Sequence, residues 1–387
     1  MGEVLAPLGP HLEAAVAAFV HDRGVASVAA AAVVRGERPW TFAYGVADVE
    51  DGRPARPSTP YRVGSLTKPF TAAAVVRLRD AGALALDDPV TRHLPAFAGV
   101  RAPSGDPDDA TVADLIAHRA GLPAEAPALD EAAGAYPTLD DVLASLDGLR
   151  LVHPPGTAVR YSNLGYQLLG AIAARASGAT YEACCERSVL RALGLSRTGF
   201  AAPAGAARGH RRKAFSDRLR HAPDRRKRTN ADGGLWSTVE DQATWLRAQL
   251  GDGPPWVASL AALHPTADGA GLGWFRERIG ARTLVYHQGS TPGFAARIAF
   301  SPERGAGVVA VANAETRLGA LTVSLVDLVL DAVEGGAPRE PAPTPPPPPA
   351  APPPTSPERE ELLGAYVWPG SDLLMRVEER AGALRLV

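Results

Sequence analysis

The order of strand-like and helix-like segments constrains this chain most. Val25 to Val34 is a mostly apolar run rich in Val and Ala, Gly36-Glu37-Arg38-Pro39 is turn chemistry, and Trp40 to Ala47 resumes a strand pattern. A long helical block follows. After Gly269 the strand character returns in Leu272 to Phe275, Thr283 to Tyr286, Gly293 to Phe300 and Gly307 to Val311, with Ser301 to Gly305 as a turn. Apolar residues at helical spacing mark a first helix over Leu8 to Val20 and a closing helix over Leu318 to Val333. The two strand groups most simply join into one antiparallel sheet. The expected fold is therefore α+β, an antiparallel β-sheet flanked by N- and C-terminal helices with an inserted, mainly helical lobe. The sheet lobe spans about 1–64 and 265–336, and the helical lobe about 65–264. A cleft between two such lobes is where a ligand site is expected.

Within the helical block, Thr111 caps a short helix through Leu115 and Ile116, and Leu139 to Leu149 forms another. Asn163 to Ser177 and Thr180 to Leu193 are each closed by a glycine, Gly178 and Gly194, and Val239 to Leu250 ends the block. With 46% hydrophobic and 21% charged residues, the chain can build a sizeable core. From Ala337 the composition changes. Residues 337–357 are proline-dominated, with five in a row at Pro345 to Pro349, and read as a semi-rigid linker rather than an SH3-type ligand. Residues 358–387 return to strand-like alternation around Ala381-Gly382, too short for an independent sheet domain. This β-rich tail is either the start of a longer module or a hairpin that adds to the main sheet or to a partner.

Several function classes are disfavoured. A net charge of -2 gives no pull toward nucleic acid or membrane. Ten basic residues from Arg208 to Arg228 face only Asp217 and Asp224, but the run has one aromatic and no nucleic-acid motif. It reads as a solvated loop, or as a cleft rim that favours an acidic substrate. The adjacent Cys184 and Cys185 suit neither a disulfide nor a metal site. The N-terminus lacks a basic region ahead of its amphipathic helix, and no apolar run has membrane-spanning length. A cytoplasmic protein is expected.

Chemistry concentrates in three short motifs. In Gly64-Ser65-Leu66-Thr67-Lys68-Pro69, a proline tolerated only near a helix start places that start close to Ser65. Ser65 and Lys68 then share one helix face, a hydroxyl at the positive end of the dipole with an amine in reach. Tyr161-Ser162-Asn163 follows a Pro154-Pro155-Gly156 turn at the mouth of the Asn163 helix, and His287-Gln288-Gly289 ends the strand Thr283 to Tyr286. Taken singly, Ser65 is an N-cap residue, Tyr161 a core aromatic, Asn163 a cap and His287 a sheet-edge histidine. Their order, S-x-x-K then Y-x-N then H-x-G, is much less ordinary.

These motifs resemble those of the serine β-lactamase and penicillin-binding-protein superfamily, closest to its class C β-lactamase, D-aminopeptidase and esterase branch. The resemblance covers about residues 8 to 335. It includes Tyr61-Arg62-Val63-Gly64, Leu115 to Pro123 with His118, Gly233-Gly234-Leu235-Trp236-Ser237-Thr238 and Thr291-Pro292-Gly293-Phe294. It implies a β-lactamase/transpeptidase-like fold and a tail resembling the beginning of a small β-barrel appendage. By the same resemblance Ser65 is the acylated nucleophile, and Lys68 and Tyr161 form the proton network, with Tyr161 as base for the serine and acid for the leaving group. Asn163 positions Lys68 and the substrate amide. His287 takes the place of the lactamase lysine, and Gly289 and Ser290 lie at the substrate, with the N–H groups of Ser65 and Ser290 as the oxyanion hole. A neutral Lys68 base requires its pKa to fall from about 10.4 by roughly three units, on the order of 4 kcal/mol.

The departure from the lactamases is H-x-G in place of K-T-G, because a mostly neutral histidine anchors a carboxylate weakly. The expectation is a serine hydrolase forming a Ser65 acyl-enzyme from a small ester, amide or peptide, of esterase or D-amino-acid-peptidase type. The alternatives are a β-lactamase or DD-peptidase, an acyltransferase, and a non-catalytic sensor on the same scaffold. No α/β-hydrolase G-x-S-x-G and no zinc-hydrolase spacing is present, so the chemistry is expected to need no cofactor and no metal. Nucleic-acid and membrane partners are not expected, and oligomeric state is left open.

Overall fold

The computed structural model describes residues 4–103, 106, 110–127, 136–212, 219–223, 227–265, 269–336, 364–367, 374–380 and 383–386. The proline-rich stretch lies outside them, as do residues 213–218 and 224–226 of the basic run.

The chain opens with helix α1 (Leu5–Arg23) and strands β1 (Ser27–Val34) and β2 (Trp40–Gly45). Helix α1 starts before Leu8 and carries Pro10 inside it. A carboxylate offsets that weakness. Glu37, in the β1–β2 turn, accepts from the backbone N–H of Val4 at 3.0 Å and of Leu5 at 3.1 Å. An anion there satisfies donors that have no intrahelical partner and complements the helix dipole.

The second part of the chain contains β3 (Tyr61–Arg62), α2 (Thr67–Asp80), α3 (Val90–His93), α4 (Val112–Ile116), α5 (Leu139–Ala144), α6 (Asn163–Ser177) and α7 (Tyr181–Cys185). Then come β4 (His210–Arg212), β5 (Leu219–His221), β6 (Trp236–Ser237) and α8 (Val239–Gln249). The expected helix over Thr180 to Leu193 changes winding instead. It passes from α7 through a π turn, Glu186–Leu190, to a 3-10 turn, Arg191–Leu193, and stops at Gly194 with φ 70°. The altered winding buries Cys184, Cys185, Val189 and Leu190 together. The short β3–β6 and β4–β5 ribbons stand beside the helices of this mainly helical part.

The last part supplies β7 (Gly269–Ala270), β8 (Phe275–Ile279), β9 (Arg282–Thr291), β10 (Phe294–Ser301), β11 (Ala306–Ala312) and helix α9 (Gly319–Val333). The main sheet is antiparallel, in the order β2-β1-β11-β10-β9-β8-β7. β1 and β11 join the two strand groups, with Val28 opposite Ala312 and Val34 opposite Ala306. This is the expected α+β sheet. The strand expected at Leu272 starts instead at Phe275. Gly273 has φ 87°, and a Cβ on it would stand 2.9 Å from Cβ of Ala72 in α2.

Both faces of the sheet are covered, which explains why β1 is apolar at every position after Ser27. Ala29, Ala31 and Val33 point into the core shared with α2, α6 and α8. Val28, Ala30, Ala32 and Val34 point into the core shared with α1 and α9. Small side chains let helices approach closely on either side, while the two-residue alternation keeps the cores separate.

At the C-terminus, β12 (Gly364–Val367), β13 (Leu374–Arg380) and β14 (Ala383–Leu386) pair in sequence order as an antiparallel sheet.

Candidate active site

The site begins at a tight turn. Gly64–Leu66 is a single 3-10 turn that leads directly into α2, so Ser65 precedes the helix and Lys68 lies in its first turn. Gly64 has φ 53°, and a Cβ on it would stand 2.9 Å from both N and O of Ser290 in β9. Glycine is needed there for conformation and for space. A Cβ on Gly289 would lie 2.0 Å from the Val63 carbonyl oxygen and 3.0 Å from the Ser65 nitrogen. Strand β9 does not stop at Tyr286, as its apolar pattern suggests, but runs on to Thr291. Past Tyr286 its pairing partner is β10, and its other edge faces the Ser65 turn. Gly289 and Ser290 thereby come up against the backbone of Ser65.

Lys68 is completely buried, whereas Ser65 is half-buried. Lys68 Nζ lies 3.1 Å from Ser65 Oγ, 2.7 Å from Asn163 Oδ1 and 2.6 Å from the Asp232 carbonyl oxygen. The last two atoms only accept hydrogen bonds. They therefore fix two N–H directions and leave the third position of the nitrogen aimed at Ser65 Oγ. Burial pushes the Lys68 pKa down to about 7, with the Asp232 carboxylate acting in the opposite direction. In the neutral amine that third position is a lone pair, suited to take the serine proton.

Tyr161 approaches the same oxygen, its OH donating to Ser65 Oγ at 2.9 Å. It precedes α6, whose start is fixed by Ser162 Oγ accepting from the Gly165 N–H at 3.0 Å. Burial raises the Tyr161 pKa well above the usual phenol value. The resting phenol is thus a hydrogen-bond donor to Ser65 Oγ. Lys68 Nζ also lies 4.9 Å from the Tyr161 ring centroid and 5.4 Å from that of Tyr166.

His287 departs most from its expected setting. It is 1% exposed, and its Nδ1 lies 2.8 Å from the Gln288 carbonyl oxygen. That geometry makes Nδ1 the protonated nitrogen. Burial and the neighbouring Lys68 lower its pKa to about 3. His287 is a neutral residue packed 5.5 Å from the Phe275 ring, so it offers the cleft no cation.

Three groups at the site were not singled out as site residues from sequence. The Asp232 backbone carbonyl holds Lys68, and its carboxylate pairs with Lys227. Glu125 accepts from Asn163 Nδ2 and so orients the amide whose oxygen meets Lys68. Burial raises the pKa of Glu125. His118 is buried in the left-handed conformation, with φ 59°. Its Nδ1 accepts from the Ser162 N–H at 3.1 Å, and its ring packs 4.5 Å from that of Tyr161. His118 stood in a stretch of family resemblance, whereas Glu125 and Asp232 are ordinary loop carboxylates with no local signal.

A cavity of about 290 Å³ opens beside the Ser65 turn, lined by Arg62, Phe200, Lys227, Asn230, Gly233 and Trp236 among others. A Cβ on Gly233 would lie 3.5 Å from the Gly64 carbonyl carbon, so the cavity adjoins the serine turn. Among the described residues of the basic run, Lys227 lines this cavity, and it is paired with Asp232.

Comparison with known proteins agrees with this architecture. The beta-lactamase family model matches residues 12–328. Protein flp of Staphylococcus aureus strain MRSA252 is 27% identical over 289 residues, which are 70% of this chain and 56% of that protein. Protein Rv1367c of Mycobacterium tuberculosis strain H37Rv is 35% identical over 248 residues, 57% of this chain and 61% of that protein. The matched region is thus less than two thirds of either relative. A class C beta-lactamase of known structure superposes with a TM-score of 0.74 at 23% identity, over 86% of this chain and 98% of that one. The octameric penicillin-binding protein homologue from Pyrococcus abyssi gives a TM-score of 0.74 at 24% identity, over 97% of this chain and 86% of that one. The fold is shared with both structures. The chain belongs to the beta-lactamase family.

Proposed function

We propose that the protein is a serine hydrolase that passes through a Ser65 acyl-enzyme on small esters or amides, of esterase or D-amino-acid-peptidase type. The observation that carries this reading is the convergence of Lys68 Nζ and Tyr161 OH on Ser65 Oγ, at 3.1 and 2.9 Å. Neutral Lys68 takes the Ser65 proton as Oγ attacks the substrate carbonyl carbon. The N–H groups of Ser65 and Ser290 receive the resulting oxyanion, each such donor being typically worth about 2.7–4 kcal/mol in the transition state. Tyr161 gives its proton to the departing oxygen or nitrogen and is reprotonated from Lys68. Water then repeats the sequence on the ester of Ser65, releasing the acid and restoring the serine.

The choice of ester or D-amino-acid amide over β-lactam rests on His287. A buried neutral imidazole provides no positive charge for a substrate carboxylate. The test is turnover of a short-chain aryl ester, a panel of D-amino-acid amides and a chromogenic cephalosporin, with Ser65→Ala measured beside the native protein. Ester or amide turnover that is lost in Ser65→Ala is expected. Unchanged turnover in that variant would refute the nucleophile, and faster turnover of the cephalosporin than of the other substrates would refute the substrate class.

A further inference from the structure

Away from Ser65, two histidines and an aspartate meet. His210 and His221 are direct cross-strand partners in the β4–β5 ribbon, so their side chains leave the same face. Their ring centroids are 5.3 Å apart. Asp48, just beyond β2, reaches the same point. Its Oδ1 is 2.8 Å from His221 Nε2 and 3.6 Å from His210 Nε2. One ligand-type atom from each of the three residues lies within 4.8 Å of the other two. His210 is fully buried and Asp48 is nearly so.

The outer nitrogens of both rings are also held. His210 Nδ1 faces the Asn313 carbonyl oxygen at 3.2 Å, which makes it the N–H donor and leaves a lone pair on Nε2, which lies 3.6 Å from Asp48 Oδ1 and accepts from the Val49 N–H at 3.3 Å. His221 Nδ1 faces the Glu50 carboxylate at 3.2 Å. The His221 ring thus lies between two carboxylates, with Nδ1 toward Glu50 and Nε2 toward Asp48. A histidine whose far N–H is held by a carbonyl or carboxylate is the usual second shell of a metal ligand, and ligation by His210 would replace the Val49 N–H on its Nε2. Two imidazoles and a carboxylate suit zinc, with water as a fourth ligand. Ligands about 2.0–2.2 Å from a tetrahedral ion are about 3.4 Å from one another, between the two separations found here.

We propose that Asp48, His210 and His221 bind a single divalent zinc ion that clips the β4–β5 ribbon to the sheet lobe. The clip lies close to the rim of the cleft. The His210 N–H donates to the Gly293 carbonyl oxygen at 3.2 Å, and a Cβ on Gly209 would lie 2.6 Å from the Phe294 ring. Gly293 lies in the β9–β10 turn that follows Gly289 and Ser290, and Phe294 opens β10. The clip thereby fixes the ribbon that carries part of the basic run against the strand facing Ser65. The ion is placed in a structural role, apart from the Ser65 chemistry.

The test is zinc titration of the chelator-treated full-length protein by equilibrium dialysis, with elemental analysis of the bound metal. Cobalt replacement supplies the visible band of a tetrahedral site. One zinc per chain is expected, with a rise in melting temperature on binding. His221→Gln removes a partly exposed ligand and should weaken binding at least about 100-fold. Glu50→Gln changes an exposed side chain that can be altered without unfolding, and should weaken binding about 10- to 100-fold. His21→Gln, at an exposed histidine, should change nothing. The proposal is overturned if native protein binds less than one zinc per chain. It is equally overturned if His221→Gln and Glu50→Gln bind zinc as tightly as native protein does.

Discussion

Asn163 holds Lys68 more closely than Ser65 does, at 2.7 Å from Oδ1 to Nζ against 3.1 Å from Nζ to the serine oxygen. The amide thus acts as an orienting group, and Glu125 on its Nδ2 fixes which way it faces. Removing it with Asn163→Ala leaves the Asp232 carbonyl as the remaining acceptor that orients the amine toward Ser65. A hydrogen bond to a charged or polarised group is worth about 1.5–3 kcal/mol, so the acylation rate should fall about 10- to 100-fold. Single-turnover kinetics with an aryl ester measure this. Native acylation in Asn163→Ala would remove Asn163 from the mechanism.

Glu125→Gln tests the next link outward. The substituted side chain can still present an oxygen to Asn163 Nδ2, but it lacks the negative charge beside Lys68. That charge raises the Lys68 pKa, so its removal should shift the acid limb of kcat/KM to lower pH while maximal turnover stays within about tenfold. A pH profile that does not move, or moves upward, contradicts the placement of Glu125.

The pH profile of the native protein follows from Lys68. Below about pH 7 the amine is protonated and has no lone pair for Ser65, so kcat/KM should rise with pH through about 7. Stability follows the same group. An unfolded lysine keeps its proton to about pH 10.4, while folded Lys68 releases it at about 7, so between these values the folded state binds fewer protons. Folding stability relative to Lys68→Met should therefore increase with pH across that window, at up to about 1.4 kcal/mol per unit, with the gain fully lost once pH has fallen to about 7 and no further dependence below it. Denaturant unfolding at pH 6, 7.5 and 9 checks the sign.

His287 yields a prediction about selectivity. With a pKa lowered to about 3, it stays neutral across the working range. The ratio of kcat/KM for a carboxylate-bearing ester to that for a neutral ester should therefore stay flat from about pH 5 to 8. A ratio that climbs below about pH 6.5 would mean that His287 charges and reaches the substrate.

Glu37 tests the fold without touching the site. Its carboxylate on Val4 and Leu5 stands in for an N-cap, so Glu37→Ala should cost about 0.5–2 kcal/mol of stability, read by denaturant unfolding, and leave ester turnover unchanged.

What could be read ahead of the structure was local. Ser65 and Lys68 lie within one turn, Pro69 marks the helix start, and Asn163 opens a helix that ends at Gly178. The two apolar strand groups had to meet, because neither β1 nor β11 can be buried on both faces without the other layers. The rest depended on long-range placement. Glu125 and Asp232 enter from loops, and a lone carboxylate in a loop has no pattern to mark it. β9 runs past Tyr286 because β10 and the Ser65 turn hold it, although Gln288, Gly289 and Ser290 break the apolar alternation. The setting of His287 was hidden for a related reason, since nothing in H-x-G tells that the ring is buried against Phe275.

The central claim is that Ser65 becomes acylated with Lys68 as its base. Intact-protein mass spectrometry after rapid quenching with an activated aryl ester, followed by peptide mapping, tests it most directly. One acyl group per chain on the peptide containing Ser65 is predicted, forming faster as pH rises through about 7 and slowed about 10²–10⁴-fold in Lys68→Ala. No adduct on Ser65 while the ester is consumed, or an adduct that forms equally fast in Lys68→Ala, would contradict the account.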